Sequence, residues 1–229
     1  MSTHPNSTSM QKGHAPGAVP QAATSGVGRE HASPASRKRE PAPRTTLAAD
    51  RRSNGGAGVG SREAQRWLEA ARQALVSGTL ASVLSTGVLM WLGGRRLGRP
   101  AAPTNATSHW LWGDEESFQA DELSLRHTGV GYATHHASAV MWAMLLERWL
   151  ARTPHPTSAR IVRDAALISA LAAFVDYQLT PRRLRPGFEA RLPTHSLVGV
   201  FAALGVGLAT GAILNRRHDR RLEALRRLP

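Results

Sequence analysis

The sequence predicts an all-α polytopic membrane protein, a four-transmembrane-helix bundle with a disordered N-terminal tail. Two observations lead to this prediction. From residue 74 onward, long apolar segments alternate with clusters of arginine, whereas residues 1–60 are rich in Ser, Pro, Gly and basic residues and contain few large apolar ones. A helix that crosses a bilayer needs about 20 mostly apolar residues, and the second part of the chain has room for four.

The four predicted spans cover residues 74–92, 133–149, 161–179 and 197–214. The first and the fourth contain no charged residue. A soluble four-helix bundle would show an apolar stripe opposite a charged face on each helix. Because these two segments are apolar all round, the pattern favours a membrane bundle over a soluble one.

The predicted organisation has three parts. Residues 1–60 form a disordered basic tail, since such a composition buries too little apolar surface to offset chain entropy, and they contain no apolar signal-peptide region. Residues 61–215 form the four-helix transmembrane domain. Residues 216–229 form a basic amphipathic helix that either extends the last span or lies on anionic headgroups.

The net charge of +13 comes almost entirely from arginine. Because the arginines flank apolar spans, the expected partners are membrane lipids with anionic headgroups and no nucleic acid is expected. Basic residues near the span ends are more numerous on the side that holds both termini, so both termini are predicted to be cytoplasmic in a multi-pass protein of the bacterial inner membrane. The chain has no cysteine, which leaves its redox compartment open.

Small residues recur every four positions in the fourth span, at Gly199, Ala203, Gly207 and Gly211. Such stripes allow helix backbones to approach closely in lipid. They favour a helix partner within the same chain, with a homo-oligomer or another membrane protein as the alternative.

Ionisable residues converge on one predicted side of the membrane. The topology places four helix ends or loops there, and the candidate residues are His109, His127, His135, His136, Asp176 and His195. Imidazole and carboxylate could bind a metal whose identity the sequence leaves open, or they could form a proton or ion relay. The third reading is structural, with the side chains bonded to loop groups, and on that reading no cofactor is expected.

Two further expectations concern the geometry of this side. His135 and His136 are adjacent on a helix and point about 100° apart, so at most one is expected to face into the bundle. The proline-rich loop between the third and fourth spans carries Arg182, Arg183 and Arg185, which either bind an anion or simply belong to a stiff hairpin.

The spacing of these residues argues against familiar membrane enzymes. The HH pair occurs once, without the repeated histidine boxes of diiron desaturases, and the facing histidine pairs of bis-haem bundles are missing. The RLRP sequence around Arg183 resembles the first motif of lipid phosphatases, but their later motifs are absent. No glycine-rich nucleotide loop or nucleophile elbow is found.

Three segments resemble blocks of an uncharacterised family of small proteobacterial integral membrane proteins. They are APTNATSHWLWGDE (Ala102–Glu115), GYATHHASAVMWAMLLE (Gly131–Glu147) and FVDYQLTPRRLRPGFEARL (Phe174–Leu192). The resemblance covers roughly residues 75 to 215 and implies an inner-membrane location. It implies no activity, cofactor or catalytic residue.

The expected function is therefore that of an integral inner-membrane protein without enzymatic activity, which acts through association with lipid or another membrane protein. The alternatives are a small transporter or ion-coupled protein, or a metal-dependent membrane enzyme, either of which would use the His/Asp cluster.

Overall fold

A computed structural model describes residues 46–228 of the chain, with side chains from residue 60 onward, and every regular element in this part is helical. The prediction of an all-α fold is confirmed. The α-helices are α1 (Thr46–Leu97), α2 (Ala102–Ala106), α3 (His109–Trp112), α4 (Asp114–Gln119), α5 (Val130–Leu150), α6 (Ser158–Phe174) and α7 (Thr194–Arg226). Wider π-helical turns precede α5 (Leu125–Gly129) and follow α6 (Val175–Leu179), and two 3-10 turns (Arg182–Leu184, Phe188–Ala190) lie before α7.

Each predicted span lies within one long helix, with the third reaching through the π-helical turn after α6. Two of these helices are long and apolar enough to cross a membrane by length and composition, namely α1 from Gly60 to Leu97 and α7. The other two spans and the four-span membrane bundle remain predictions.

The helices at the two ends of the described chain extend beyond the predicted apolar spans. Residues 1–45 lie outside the described residues, but α1 already begins at Thr46, inside the stretch predicted to be a disordered tail. Composition predicted a tail there because apolar residues are few. A helix satisfies its own backbone groups through i to i−4 hydrogen bonds, so it can extend through a segment that has few apolar residues. At the other end α7 runs unbroken to Arg226, so the predicted C-terminal helix extends the last predicted span.

α1 is the central helix of the bundle and packs along both α5 and α7, while α6 packs on α7 and touches α5 much less. The α1–α7 contact depends on glycine. A Cβ atom added at Gly207 would lie 2.3 Å from the Cα of Ala81, and one added at Gly211 would lie 2.3 Å from the Cα of Ser77. The small-residue stripe therefore packs within the chain, as the sequence favoured.

The bundle has two distinct ends. The long-loop end carries the connections over residues 98–129 and 180–193, and the short-loop end carries residues 151–157. Over the long-loop end, Asn105 of α2 is fully buried and ties the first connection together. Its Nδ2 donates to the carbonyls of Ala120 (3.0 Å) and Glu122 (2.9 Å), and its Oδ1 accepts from Thr128 Oγ1 (2.7 Å). This connection is thus a folded cap.

Candidate functional site

His135 and His136 both face α1. His135 Nε2 lies 2.7 Å from Ser85 Oγ, and His136 Nδ1 lies 2.8 Å from Ser82 Oγ. The prediction that only one of them points into the bundle is wrong, because α1 is close enough for both rings to reach it. Their divergence of about 100° instead gives each ring its own serine, nearly one helical turn apart on α1.

The two loop histidines fasten the cap at the long-loop end. His109 Nδ1 lies 2.7 Å from Asp114 Oδ1, and its Nε2 lies 2.9 Å from the carbonyl of Arg185. The ring of His127 is 3.1 Å from Ser108 Oγ through Nδ1 and 3.4 Å from Glu116 through Nε2. His127 therefore holds two parts of the cap together, and His109 joins the cap to the loop before α7.

Asp176 and His195 are placed differently. Asp176 lies half-buried in the π-helical turn after α6 and, within residues 60–228, it makes no hydrogen bond or ion pair. His195 is exposed in the first turn of α7. Of the six predicted residues, only His135 and Asp176 line the same cleft.

The six residues do not form a single cluster at the mouth of the bundle. In the part of the chain with described side chains, no three His, Cys, Asp or Glu residues are grouped so that they could hold a metal ion. The sequence predicts at which end of the bundle these residues lie, but not how they are distributed around the bundle axis. In the structure four of the imidazoles are already hydrogen-bonded at separate places.

The three arginines of the loop before α7 also lie in different environments. Arg182 and Arg183 are exposed, whereas Arg185 turns inward. Its Nη2 donates to the carbonyl of Tyr177 at 3.0 Å and its Nε to that of Thr180 at 3.4 Å. Arg185 thus closes the end of the π-helical turn, and anion binding by the loop remains a prediction.

Two open clefts flank α6 because this helix packs incompletely on its neighbours. The α5–α6 cleft has a volume of about 820 Å³ and is mostly apolar, with His135 and Asp176 among its few polar residues. The α6–α7 cleft has a volume of about 1200 Å³ and extends from the short-loop half of both helices to the long-loop end. Along most of its length this cleft is lined by apolar residues, which include Val162, Ala166, Ala170, Phe174, Val198, Val206 and Ile213.

Polar groups line the α6–α7 cleft almost only where it reaches the long-loop end. At that end they are Tyr177, Gln178, Arg185, Glu189 and Thr194. Ser169 and Thr210 lie further along the cleft, and their hydroxyls donate to backbone carbonyls of α7. Within the described residues, the hydroxyl of Tyr177 and Oε2 of Glu189 are buried without a hydrogen-bond partner. Orphaned buried polar atoms are uncommon in folded proteins, so two at one end of one cleft call for an explanation.

A polar cluster that the sequence analysis missed lies at the short-loop end. Glu147 of α5 is fully buried, and its Oε1 accepts from Ser77 Oγ (3.0 Å) and Asn215 Nδ2 (2.8 Å). Its Oε2 accepts from Arg216 Nη2 at 2.9 Å, and Arg216 Nη1 also donates to Gln73 Oε1 at 2.6 Å. The cluster joins α1, α5 and α7. The sequence features that could have revealed this cluster are Glu147 near the end of one apolar span and the pair Asn215 and Arg216 at the same end of another.

The hydrogen bonds and ion pairs described above join parts of the fold to one another, and within the described residues the two clefts beside α6 remain without a protein partner. Comparison of the chain with protein-family models, with curated proteins and with solved structures found no match.

Proposed function

We propose that the protein is a non-catalytic, four-span protein of the bacterial inner membrane, with both termini in the cytoplasm, that binds a membrane lipid in the α6–α7 cleft. On this proposal the long-loop end faces the periplasm. The function is association with lipid, and the cleft is where the association takes place.

The surface of the helices supports a membrane environment. Large apolar side chains are exposed on several helices, for example Val83 on α1, Leu167 and Leu171 on α6 and Val198 on α7, with exposed fractions between 46% and 71%. In water such surfaces favour association or aggregation, whereas lipid tails cover them without cost.

The distribution of polarity along the α6–α7 cleft is the observation that carries the proposal. An amphiphile has a long apolar chain and a polar head at one end. The cleft has the same order, with polar side chains at the long-loop end and mostly apolar ones along the two helices, where the hydroxyls of Ser169 and Thr210 are already bonded to the backbone. Ligand sites are typically apolar with a few placed polar groups that fix orientation.

An ion-coupled activity is the second candidate, because Asp176 and His135 line the same α5–α6 cleft. The packing along α5 favours it less. Between His136 and Glu147 the buried residues of this helix are Ala139, Trp142, Ala143 and Leu146, all apolar. A transport pathway usually needs polar groups near the middle of the bilayer.

The lipid proposal is tested by filling the cleft. Ala170→Trp places a large ring at a residue that lines the α6–α7 cleft, and Leu171→Trp is the matched control at an adjacent exposed residue that lines neither cleft. We expect lipid to co-purify in stoichiometric amount with the wild type and the control and to be lost from the Ala170 variant, as measured by native mass spectrometry. Equal lipid retention in both variants would refute the proposal.

The topology is tested separately with C-terminal fusions. A fluorescent reporter that folds only in the cytoplasm is expected to be bright, and an alkaline phosphatase that folds only in the periplasm is expected to be inactive. The opposite pair of results would reverse the proposed orientation.

A further inference from the structure

The polar end of the α6–α7 cleft contains a cation, an anion and a phenol side by side. Arg185 and Glu189 belong to the loop before α7, and Tyr177 belongs to the π-helical turn after α6. These groups come from both sides of the cleft, so they surround its end as the headgroup of an inserted lipid would require.

Two of these three groups have unused hydrogen-bonding capacity within the described residues. Tyr177 OH and Glu189 Oε2 are buried without a hydrogen bond of normal geometry to any described residue, although the two side chains lie close enough to interact with each other. A phenol can donate one hydrogen bond, and a carboxylate oxygen can only accept. The end of the cleft therefore presents a donor and an acceptor in a mutual contact that a headgroup could replace with better hydrogen bonds.

Arg185 contributes a positive charge at the same place. Its Nε and Nη2 hold the carbonyls of Thr180 and Tyr177, which fixes the guanidinium. An arginine has five N–H donors and suits phosphate recognition, so a guanidinium held in this way can still donate to a ligand.

We propose that the cleft selects phosphatidylethanolamine, with its phosphodiester beside Arg185 and Tyr177 OH and its primary ammonium donating to Glu189. This inference rests on the proposed lipid-binding function. Charge order carries the choice, because a zwitterionic headgroup matches an adjacent cation and anion. Phosphatidylglycerol brings no cation for Glu189, and the quaternary ammonium of phosphatidylcholine has no N–H to donate.

The first test leaves the protein unchanged. The full chain is purified in detergent, delipidated and titrated by native mass spectrometry with four lipids of identical acyl chains, from phosphatidylethanolamine through its N-methyl and N,N-dimethyl forms to phosphatidylcholine. We expect affinity to fall as N–H groups are replaced, by roughly tenfold over the series, which corresponds to about 1.4 kcal/mol.

The second test uses variants. Glu189→Gln is expected to abolish the preference for phosphatidylethanolamine over phosphatidylcholine, while Glu115→Gln, an exposed carboxylate outside both clefts, retains it. Tyr177→Phe is expected to weaken all phospholipids together, since the phosphodiester is common to them.

The outcomes separate the two proposals. If no phospholipid binds stoichiometrically, the lipid-binding function itself fails. If lipids bind but the methylation series is flat, or Glu189→Gln keeps the preference, lipid binding stands and the ethanolamine inference is overturned.

Discussion

The buried carboxylate of Glu147 allows a quantitative test of how α1, α5 and α7 are held together. Replacing it with leucine removes the acceptor shared by Ser77, Asn215 and Arg216. Leucine is slightly larger than glutamate, so the change removes hydrogen bonds and charge without leaving a cavity. The stability of the bundle should then report mainly the polar cluster, and Glu147→Gln, which keeps the shape, separates out the cost of packing.

The expected loss follows from what remains of the cluster. Removing one partner of a buried ion pair costs about 3–5 kcal/mol. The Arg216 side chain is only 13% exposed, but it keeps Gln73 Oε1 as an acceptor at 2.6 Å and Asp219 as an ion-pair partner at 3.9 Å. The value should therefore lie at the lower end, about 3 kcal/mol. Glu147→Gln keeps a carbonyl acceptor for Ser77 and Asn215 and should cost less, about 1.5–3 kcal/mol.

The assay is reversible unfolding in detergent by titration with sodium dodecyl sulfate, followed by far-UV circular dichroism. The double variant Glu147→Leu with Arg216→Leu should be more stable than Glu147→Leu alone, because the mostly buried guanidinium, left with only the longer 3.9 Å ion pair to Asp219, is then removed. Glu223→Gln, an exposed carboxylate on α7, is the control and should change nothing. Strictly additive losses in the double variant would refute the idea that the two charges are coupled.

Three further predictions concern helix contacts and the cap. Gly207→Leu should destabilise the bundle by about 1–3 kcal/mol in the same titration, because the new Cβ would lie 2.3 Å from the Cα of Ala81 in α1. The control Gly199→Leu should be tolerated, because its Cβ would meet only the Val88 side chain, at 3.9 Å. His135→Ala should lower the free energy of unfolding by about 1 kcal/mol. Adding Ser85→Ala should lower it little further, because both variants remove the same hydrogen bond. A second loss of equal size would contradict the pairing. Asn105→Ala should speed amide hydrogen exchange across residues 98–129, and unchanged exchange would show that the cap does not depend on its amide.

The long helices were predictable because about 20 consecutive apolar residues leave few structural alternatives. The internal use of the glycine stripe was also favoured, since Gly207 and Gly211 recur on one face of a helix. These features depend on residues close in sequence. Composition located the apolar span within α1 but not the residue at which the helix begins, because a helix can extend beyond its apolar residues.

The side-chain partners were not predictable because they depend on how each helix is rotated about its axis. A topology fixes the height of His135 along the bundle but not whether it faces α1 or Asp176. In the structure both histidines bond to serines of α1, while Asp176 lines the α5–α6 cleft with His135 but forms no hydrogen bond to it. Glu147 was missed for the same reason, since its partners come from helices about 70 residues away in sequence.

The three serines by which α1 contacts its partners also bond to α1 itself. Ser77 Oγ donates to the carbonyl of Gln73, Ser82 Oγ to that of Thr79 and Ser85 Oγ to that of Ala81. During synthesis α1 emerges well before α5 and α7, and a lone hydroxyl in hydrocarbon would need a partner at once. If α1 inserts into a bilayer as proposed, these internal bonds satisfy its hydroxyl donors until the later helices arrive. Ser82 and Ser85 can then accept from His136 and His135 without breaking them, whereas Ser77 must share its single O–H between Gln73 and Glu147.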